Sequence, residues 1–311
     1  MIAGSTGEAP FLSAGERGTL VRAARAAFHA NGLDAVPIIA GANGDSLRSS
    51  IALTHEIAEA GADAAIVIPS GYFAGSLATP AGKIALREFY LDLANRSPIP
   101  ILLYNFPGAS GGVNMDSDFL IDVARNAPNT CGLKLTCNEI GKLLRICSVT
   151  ALPEFATAFP RRHPNAPFLV FTGYADTIYP ALISRGAGAI TGLANIAPHT
   201  IRHLFDTAVT SINAGSTKHM VEAQALQSVV SQADFYLSAH GISGVKWALS
   251  RYAAELGYDY GGGMPRRPLY SLPAGVDMQL ERQLYEIMSR EKAIMRDRDQ
   301  QAANGNRSTS R

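Results

Sequence analysis

Lys134 stands inside Thr130-Cys131-Gly132-Leu133-Lys134-Leu135-Thr136, a short run that otherwise reads as a buried strand. A core rarely holds an ammonium group unless the group is paired or its pKa falls, and a lysine with a lowered pKa is a nucleophile. From that strand alone, a lysine that ends an edge strand and snorkels to water is an equal alternative. The preceding apolar run, Pro98 to Tyr104, ends on a tyrosine, and Ser5-Thr6 lie between Gly4 and Gly7. An amine, a phenol and a glycine-flanked hydroxyl pair are what imine chemistry on a 2-oxo acid requires. The amine attacks the ketone, the phenol shuttles protons, and hydroxyls with backbone N–H groups hold the carboxylate. The protonated imine is then the electron sink, so no metal or organic cofactor is needed.

These residues must be brought together by the elements that carry them. Ala35 to Ala40, Ala64 to Ile68, Pro98 to Tyr104, Thr130 to Thr136, Phe168 to Phe171 and Gly188 to Gly192 are short and continuously apolar. Helical segments near 13–28, 46–60, 79–95, 116–126, 138–149 and 176–185 alternate with them, the first opening on the capping-box spacing Ser13–Glu16. Such alternation predicts a parallel sheet covered by helices on both faces. Six strands plus a stub at Met1 to Gly4 point to an α/β fold, a (β/α)8 TIM barrel lacking its first βα unit. Residues 1–196 are assigned to the barrel, 197–295 to a helical C-terminal extension and 296–311 to a disordered polar tail. At strand ends facing one mouth the pattern places Ser5, Thr6, Asn43, Tyr72, Tyr104, Asn105, Lys134, Thr136, Thr172 and Asn195.

Composition narrows the partners. The 311 residues are 47% hydrophobic and 17% charged, with a formal net charge of +1, which leaves no electrostatic footprint for nucleic acid. No apolar run approaches a membrane span, and the N-terminus shows no signal pattern. The three cysteines, Cys131, Cys137 and Cys147, follow neither a zinc spacing nor a secreted framework, so a cytoplasmic location is expected, with a mitochondrial form as the alternative. His199 and His203 lie four apart on a helix without a third ligand and are read as helix surface. Gly261-Gly262-Gly263 is read as a turn, since no phosphate-binding helix follows it.

Gly4-Ser5-Thr6-Gly7-Glu8, Tyr104-Asn105-Phe106-Pro107, Gly132-Leu133-Lys134, Gly192-Leu193-Ala194-Asn195 and Arg266-Arg267-Pro268-Leu269 together resemble the dihydrodipicolinate synthase and N-acetylneuraminate lyase family of Schiff-base aldolases. Within it, the opening loop and Gly241-Ile242-Ser243-Gly244 look most like 4-hydroxy-2-oxoglutarate aldolase. Lys134-Leu135-Thr136-Cys137 with Gly141-Lys142-Leu143 looks like fungal 2-keto-3-deoxy-L-galactonate (L-threo-3-deoxy-hexulosonate) aldolases. The resemblance implies that Lys134 forms the imine, Tyr104 relays protons, and Ser5 and Thr6 hold a pyruvate carboxylate. It further implies that Tyr72 completes the relay from a neighbouring subunit of a homodimer or homotetramer, that Thr136 touches the far end of a longer substrate, and that Gly192 borders the substrate. A small 2-oxo acid is then the partner, with neither nucleic acid nor membrane involved.

Where dihydrodipicolinate synthases carry an arginine after the tyrosine motif, this chain has Gly108-Ala109-Ser110, which argues against lysine biosynthesis. A barrel short of one βα unit also exposes strand edges and apolar helix faces. The expectations that follow are an upstream start, a partly unfolded form, or another segment closing the gap. A truncated, non-catalytic relative with a binding or scaffold role is the competing reading. Tyr104 as an ordinary core tyrosine, and Ser5-Thr6 as a helix-capping turn, are the bland alternatives.

Overall fold

The computed structural model describes residues 1–257, 259–260 and 262–308, with the side chains of 299 and 301–308 outside that description. Six parallel strands follow one another across one sheet in chain order: β1 Ile39–Gly41, β2 Ala64–Val67, β3 Ile101–Asn105, β4 Thr130–Leu135, β5 Leu169–Thr172 and β6 Gly188–Ala189. The expected N-terminal stub is a parallel bridge from Ile2 to Ala40, held by Ile2 N–H to Ile39 O at 2.8 Å and Gly41 N–H to Ile2 O at 2.9 Å. Gly41 is required at this approach, because a Cβ there would stand 1.9 Å from the Ala3 carbonyl oxygen.

Helices connect the strands: α1 Ala14–Ala30, α2 Leu47–Glu59, α3 Ala74–Leu77, α4 Pro80–Arg96, α5 Ser117–Asn126, α6 Ile140–Thr150, α7 Pro153–Ala158 and α8 Ile178–Ile183. Local chemistry starts them. Ser13 and Glu16 close the anticipated capping box on α1, and Thr79 and Asp116 accept backbone N–H bonds at the starts of α4 and α5. The sheet face toward these helices carries Ala65, Val67, Ile101, Leu103, Leu133 and Leu135 in the main core, and the other face carries Ala64, Ile66, Leu102, Tyr104 and Cys131.

That sorting rests on one irregularity. Ile101 pairs with Thr130 but Leu102 with Gly132, so Cys131 is an extra residue. The bulge reverses the alternation of faces, since Cys131 and Leu133 are two apart yet lie in different clusters. Beyond it Leu103 matches Leu133, and Tyr104 matches Lys134. Gly132 permits this with φ +144°, and a Cβ there would stand 2.0 Å from the Leu169 carbonyl oxygen of β5.

Several sequence expectations are corrected. β1 begins at Ile39 rather than Ala35, because Pro37 has no N–H to offer a ladder and Val36 is exposed. β6 has two residues rather than five. The short α3 and α7 were not anticipated, although Pro153 marks the start of α7. Residues 296–308, expected to be disordered, continue the helix α12 Val276–Ser308, and 309–311 lie outside the described residues, as does Gly261 of the anticipated turn.

The chain divides into two compact units, Met1–Gly173 with Pro180–Ile190, and Tyr174–Tyr179 with Thr191 onward. The second contains α9 Pro198–Ala214, α10 Thr217–Ala239, α11 Gly241–Tyr252 and α12. Glu291 of α12, fully buried, caps α9 by accepting from the backbone N–H of His199 (2.9 Å) and Thr200 (2.7 Å). The His199 ring also meets Glu291 at 2.7 Å, so His199 is half-buried structure rather than helix surface. His203 faces Glu222 at 3.6 Å. Asp234 accepts from Ala175 N–H at 2.8 Å, and burial pushes its carboxyl up to about 6.

The bulge generates the first expected outcome. Gly132→Ala forces a left-handed backbone and a clash with β5, and is expected to cost roughly 2–4 kcal/mol. Urea denaturation compared with Gly263→Ala, at an exposed glycine with open space and no positive φ, measures it; equal effects at the two positions would contradict the role given to the bulge.

Candidate active site

Lys134 and Tyr104 are register partners on the inner face of β4 and β3, and both are buried, at 6% and 3% exposure. The Lys134 Nζ lies 4.5 Å from the centroid of the Tyr104 ring. Among the described residues it has no carboxylate partner and no hydrogen bond, and burial lowers its pKa from 10.5 to about 8. About one amine in ten is then unprotonated at pH 7, roughly 300-fold more than for an ordinary lysine. Burial likewise pushes the Tyr104 phenol above its ordinary value, with the Ser5 and Thr136 hydroxyls working against that rise. The phenol is therefore a proton donor at neutral pH.

Ser5 Oγ and Tyr104 Oη share a hydrogen bond of 3.2 Å, so the loop after the Ile2 bridge reaches the strand end as expected. Thr136, one residue past β4, is buried, and its Oγ1 has no hydrogen-bond partner. It lies close enough to Tyr104 to influence the phenol but outside hydrogen-bonding geometry. A buried orphan hydroxyl at a strand end is free to bond an incoming group. Phe106 closes one side of the tyrosine, with ring centres 5.8 Å apart.

The other anticipated residues are Thr6, Tyr72 and Gly192. Thr6 is exposed, so the hydroxyl pair is divided. Tyr72 is 85% exposed and makes an edge-to-face contact with Phe73 at 5.0 Å. Gly192 belongs to the second compact unit, at the start of the turn Leu193–Asn195.

Two supports for the site were not anticipated. Arg17 on α1, 4% exposed, donates to Gly41 O at 3.0 Å and Ala9 O at 2.5 Å, tying the far end of the Ser5 loop to β1. Burial lowers its pKa, while Glu56 opposes that fall. On the other side, Asn105 donates to Asn114 Oδ1 at 2.9 Å and accepts from Met115 N–H at 2.9 Å. Lys142, 3% exposed, donates to Asn114 Oδ1 at 2.5 Å and Glu139 Oε1 at 3.1 Å, and Asn114 donates to Glu139 at 2.8 Å. The Asn114 amide, helped by Lys142, holds the Glu139 carboxyl below its ordinary range. This chain of bonds joins the residue after Tyr104 to the loop after Thr136. Their polar types offered no signal, because apart from Lys142 and Glu139, three apart, the bonded partners sit 8 to 28 positions apart in the chain.

The lysine supplies a stability test. Its folded pKa lies below its unfolded one, so the cost of burying the cation is complete below about pH 8 and disappears as the pH rises toward 10.5. That cost is roughly 3 kcal/mol. Lys134→Met is expected to stabilise the fold by up to that amount at pH 7, and the gain should vanish by pH 11. A pH-independent gain, measured by denaturant titration, would contradict the buried cation.

The chain matches the dihydrodipicolinate synthetase family over residues 1–286. It is 37% identical over 300 residues to the L-threo-3-deoxy-hexylosonate aldolase of Aspergillus niger, covering 94% of this chain and 84% of that protein. It is also 37% identical over 268 residues to an Emericella nidulans protein named "Probable 4-hydroxy-2-oxoglutarate aldolase, mitochondrial", covering 86% and 76%. A crystal structure of a dihydrodipicolinate synthase family protein from Coccidioides immitis superposes with a TM-score of 0.76 at 29% identity, over 94% of this chain and 85% of that one. The chain belongs to the dihydrodipicolinate synthetase family.

Proposed function

We propose that the chain is a class I aldolase that splits a 4-hydroxy-2-oxo acid into pyruvate and an aldehyde through an imine on Lys134. Its family and the names of its relatives make it a carbon–carbon lyase. The observation that supports the lysine's role is the buried, unpaired Nζ 4.5 Å from the Tyr104 ring, whose phenol is hydrogen-bonded to Ser5.

The neutral amine adds to the C2 carbonyl, and Tyr104 donates the proton that lets water leave the carbinolamine. The resulting iminium draws the electrons of the C3–C4 bond as that bond breaks, while the C4 hydroxyl gives up its proton to the tyrosine relay and leaves as the aldehyde carbonyl. The enamine left behind is protonated at C3, and water releases pyruvate and regenerates the amine. Ser5, with Thr6 and the loop N–H groups, takes the pyruvate carboxylate in this reading, and Gly192 borders it. Because the imine is the electron sink, the reaction calls for no cofactor.

The same bond cleavage serves both relatives' named substrates. 4-Hydroxy-2-oxoglutarate leaves glyoxylate; a six-carbon 3-deoxy-hexulosonate leaves a three-carbon hydroxyaldehyde. We place 4-hydroxy-2-oxoglutarate first and the sugar acid second, and assign Thr136 Oγ1 to the part of the substrate that leaves. The six strands and the Ile2 bridge are taken as part of a (β/α)8 barrel whose first βα unit is not among these residues. We assign the exposed Tyr72 to a neighbour's relay in a homodimer or homotetramer. The free cysteines suit a cytoplasmic setting, with mitochondria as the alternative that the Emericella relative's name carries.

Treatment with pyruvate and borohydride is expected to leave a reduced pyruvyl adduct on Lys134, located by peptide mass spectrometry. Folded protein with an unmodified Lys134 would favour the non-catalytic scaffold reading instead. Coupled assays of pyruvate release from the two acids then rank them.

A further inference from the structure

The N-terminal ends of β5 and β6, opposite the end that carries Thr136, border a cavity of about 570 Å³. Its walls are the segment between α6 and β5 together with the turn before β6. Phe155, Phe168, Leu152, Leu169, Pro153 and Pro167 make it apolar, and Arg161 and Arg185 are its only charged lining residues. A volume of this order, apolar walls and a few convergent polar groups characterise a small-molecule site.

The two arginines decide the sign of the ligand. Arg161 lies over the Phe155 and Phe168 rings, 5.6 and 6.0 Å from their centres. It is pinned by donating to Phe159 O at 3.0 and 2.6 Å, to Ala127 O at 3.3 Å and to Thr130 Oγ1 at 3.2 Å. All these acceptors are neutral, and no carboxylate meets either arginine among the described residues. Burial lowers the Arg161 pKa, the mark of a cation held without a counter-ion. Arg185 follows α8 in a left-handed conformation, φ 65°, where Gly186 N–H closes the helix end onto Ala181 O at 2.7 Å. Glycine usually fills that position. The exposed guanidinium there keeps its donors available, and its field reaches Cys147. An apolar pocket with two uncompensated guanidinium groups on its wall favours an apolar body ending in an anion, and the planar fork of arginine matches a carboxylate.

We propose that this cavity binds a small organic carboxylate with an apolar body, at a site separate from Lys134. It touches β5 at Leu169, the residue whose carbonyl stands against Gly132 of the bulge. The proposal is independent of the aldolase reading.

Calorimetric titration of the full chain with 4-phenylbutyrate, and with the corresponding uncharged amide, tests it, in the presence of saturating pyruvate so that the lysine site is occupied. Saturable one-to-one binding is expected for the acid, with the amide at least about ten-fold weaker, the factor that corresponds to 1.4 kcal/mol. Arg185→Gln, at an exposed position, is expected to weaken the acid by a similar factor. Ala156→Trp, which fills the cavity, should abolish binding while pyruvate trapping on Lys134 continues. Absence of saturable binding, equal affinity of acid and amide, or binding unchanged in Arg185→Gln would overturn the proposal. Should Ala156→Trp fail to fold, the Arg185 comparison still decides.

Discussion

The ammonium of Lys134 is buried beside the Tyr104 ring with, among the described residues, no acid to balance it, and the surrounding structure bears that cost. Water is withdrawn from the cation, so the neutral amine becomes accessible near physiological pH. A paired lysine in the same place would be stable and unreactive, since a carboxylate neighbour raises the pKa that burial lowers. Lys142, eight residues on, shows the contrast: equally buried, it is satisfied by Glu139 and Asn114 and serves as a brace. Two buried lysines on adjacent elements thus have opposite tasks, decided by their partners.

Reactivity also needs direction. The bulge at Cys131-Gly132 turns Lys134 toward Tyr104 while leaving Leu133 and Leu135 in the helix-facing core. Without the extra residue the apolar and polar positions of β4 would exchange faces. Arg17 fixes the Ser5 loop from one side, and the Asn105, Asn114, Lys142 and Glu139 bonds fix the tyrosine and threonine ends from the other. Side chains positioned by such a shell keep their geometry for the reaction.

Much of this was legible in the chain. Continuous apolar runs alternating with helical periods identified all six strands, and the residue types at their ends singled out Lys134, Tyr104, Ser5 and Thr136, which the fold brings together. The bulge was not legible, because a glycine within a strand signals several irregularities and only the partner register selects one. Nothing in the sequence marks Arg17 and Lys142 as buried; their burial depends on carbonyls and carboxamides from distant segments. The His199 contact was missed for the same reason, since Glu291 lies 92 residues away. In the last stretch, polar composition suggested disorder although the backbone through Ser308 continues a helix.

The titration of Lys134 itself tests the account most directly. Pulse acylation of the intact protein across the pH range, with the yield at Lys134 read by peptide mass spectrometry, reports the fraction of neutral amine. The account predicts a midpoint near pH 8, well below the roughly 10.4 of a lysine in a model peptide. A Lys134 midpoint equal to that of a model peptide carrying one lysine, titrated alongside, would contradict it.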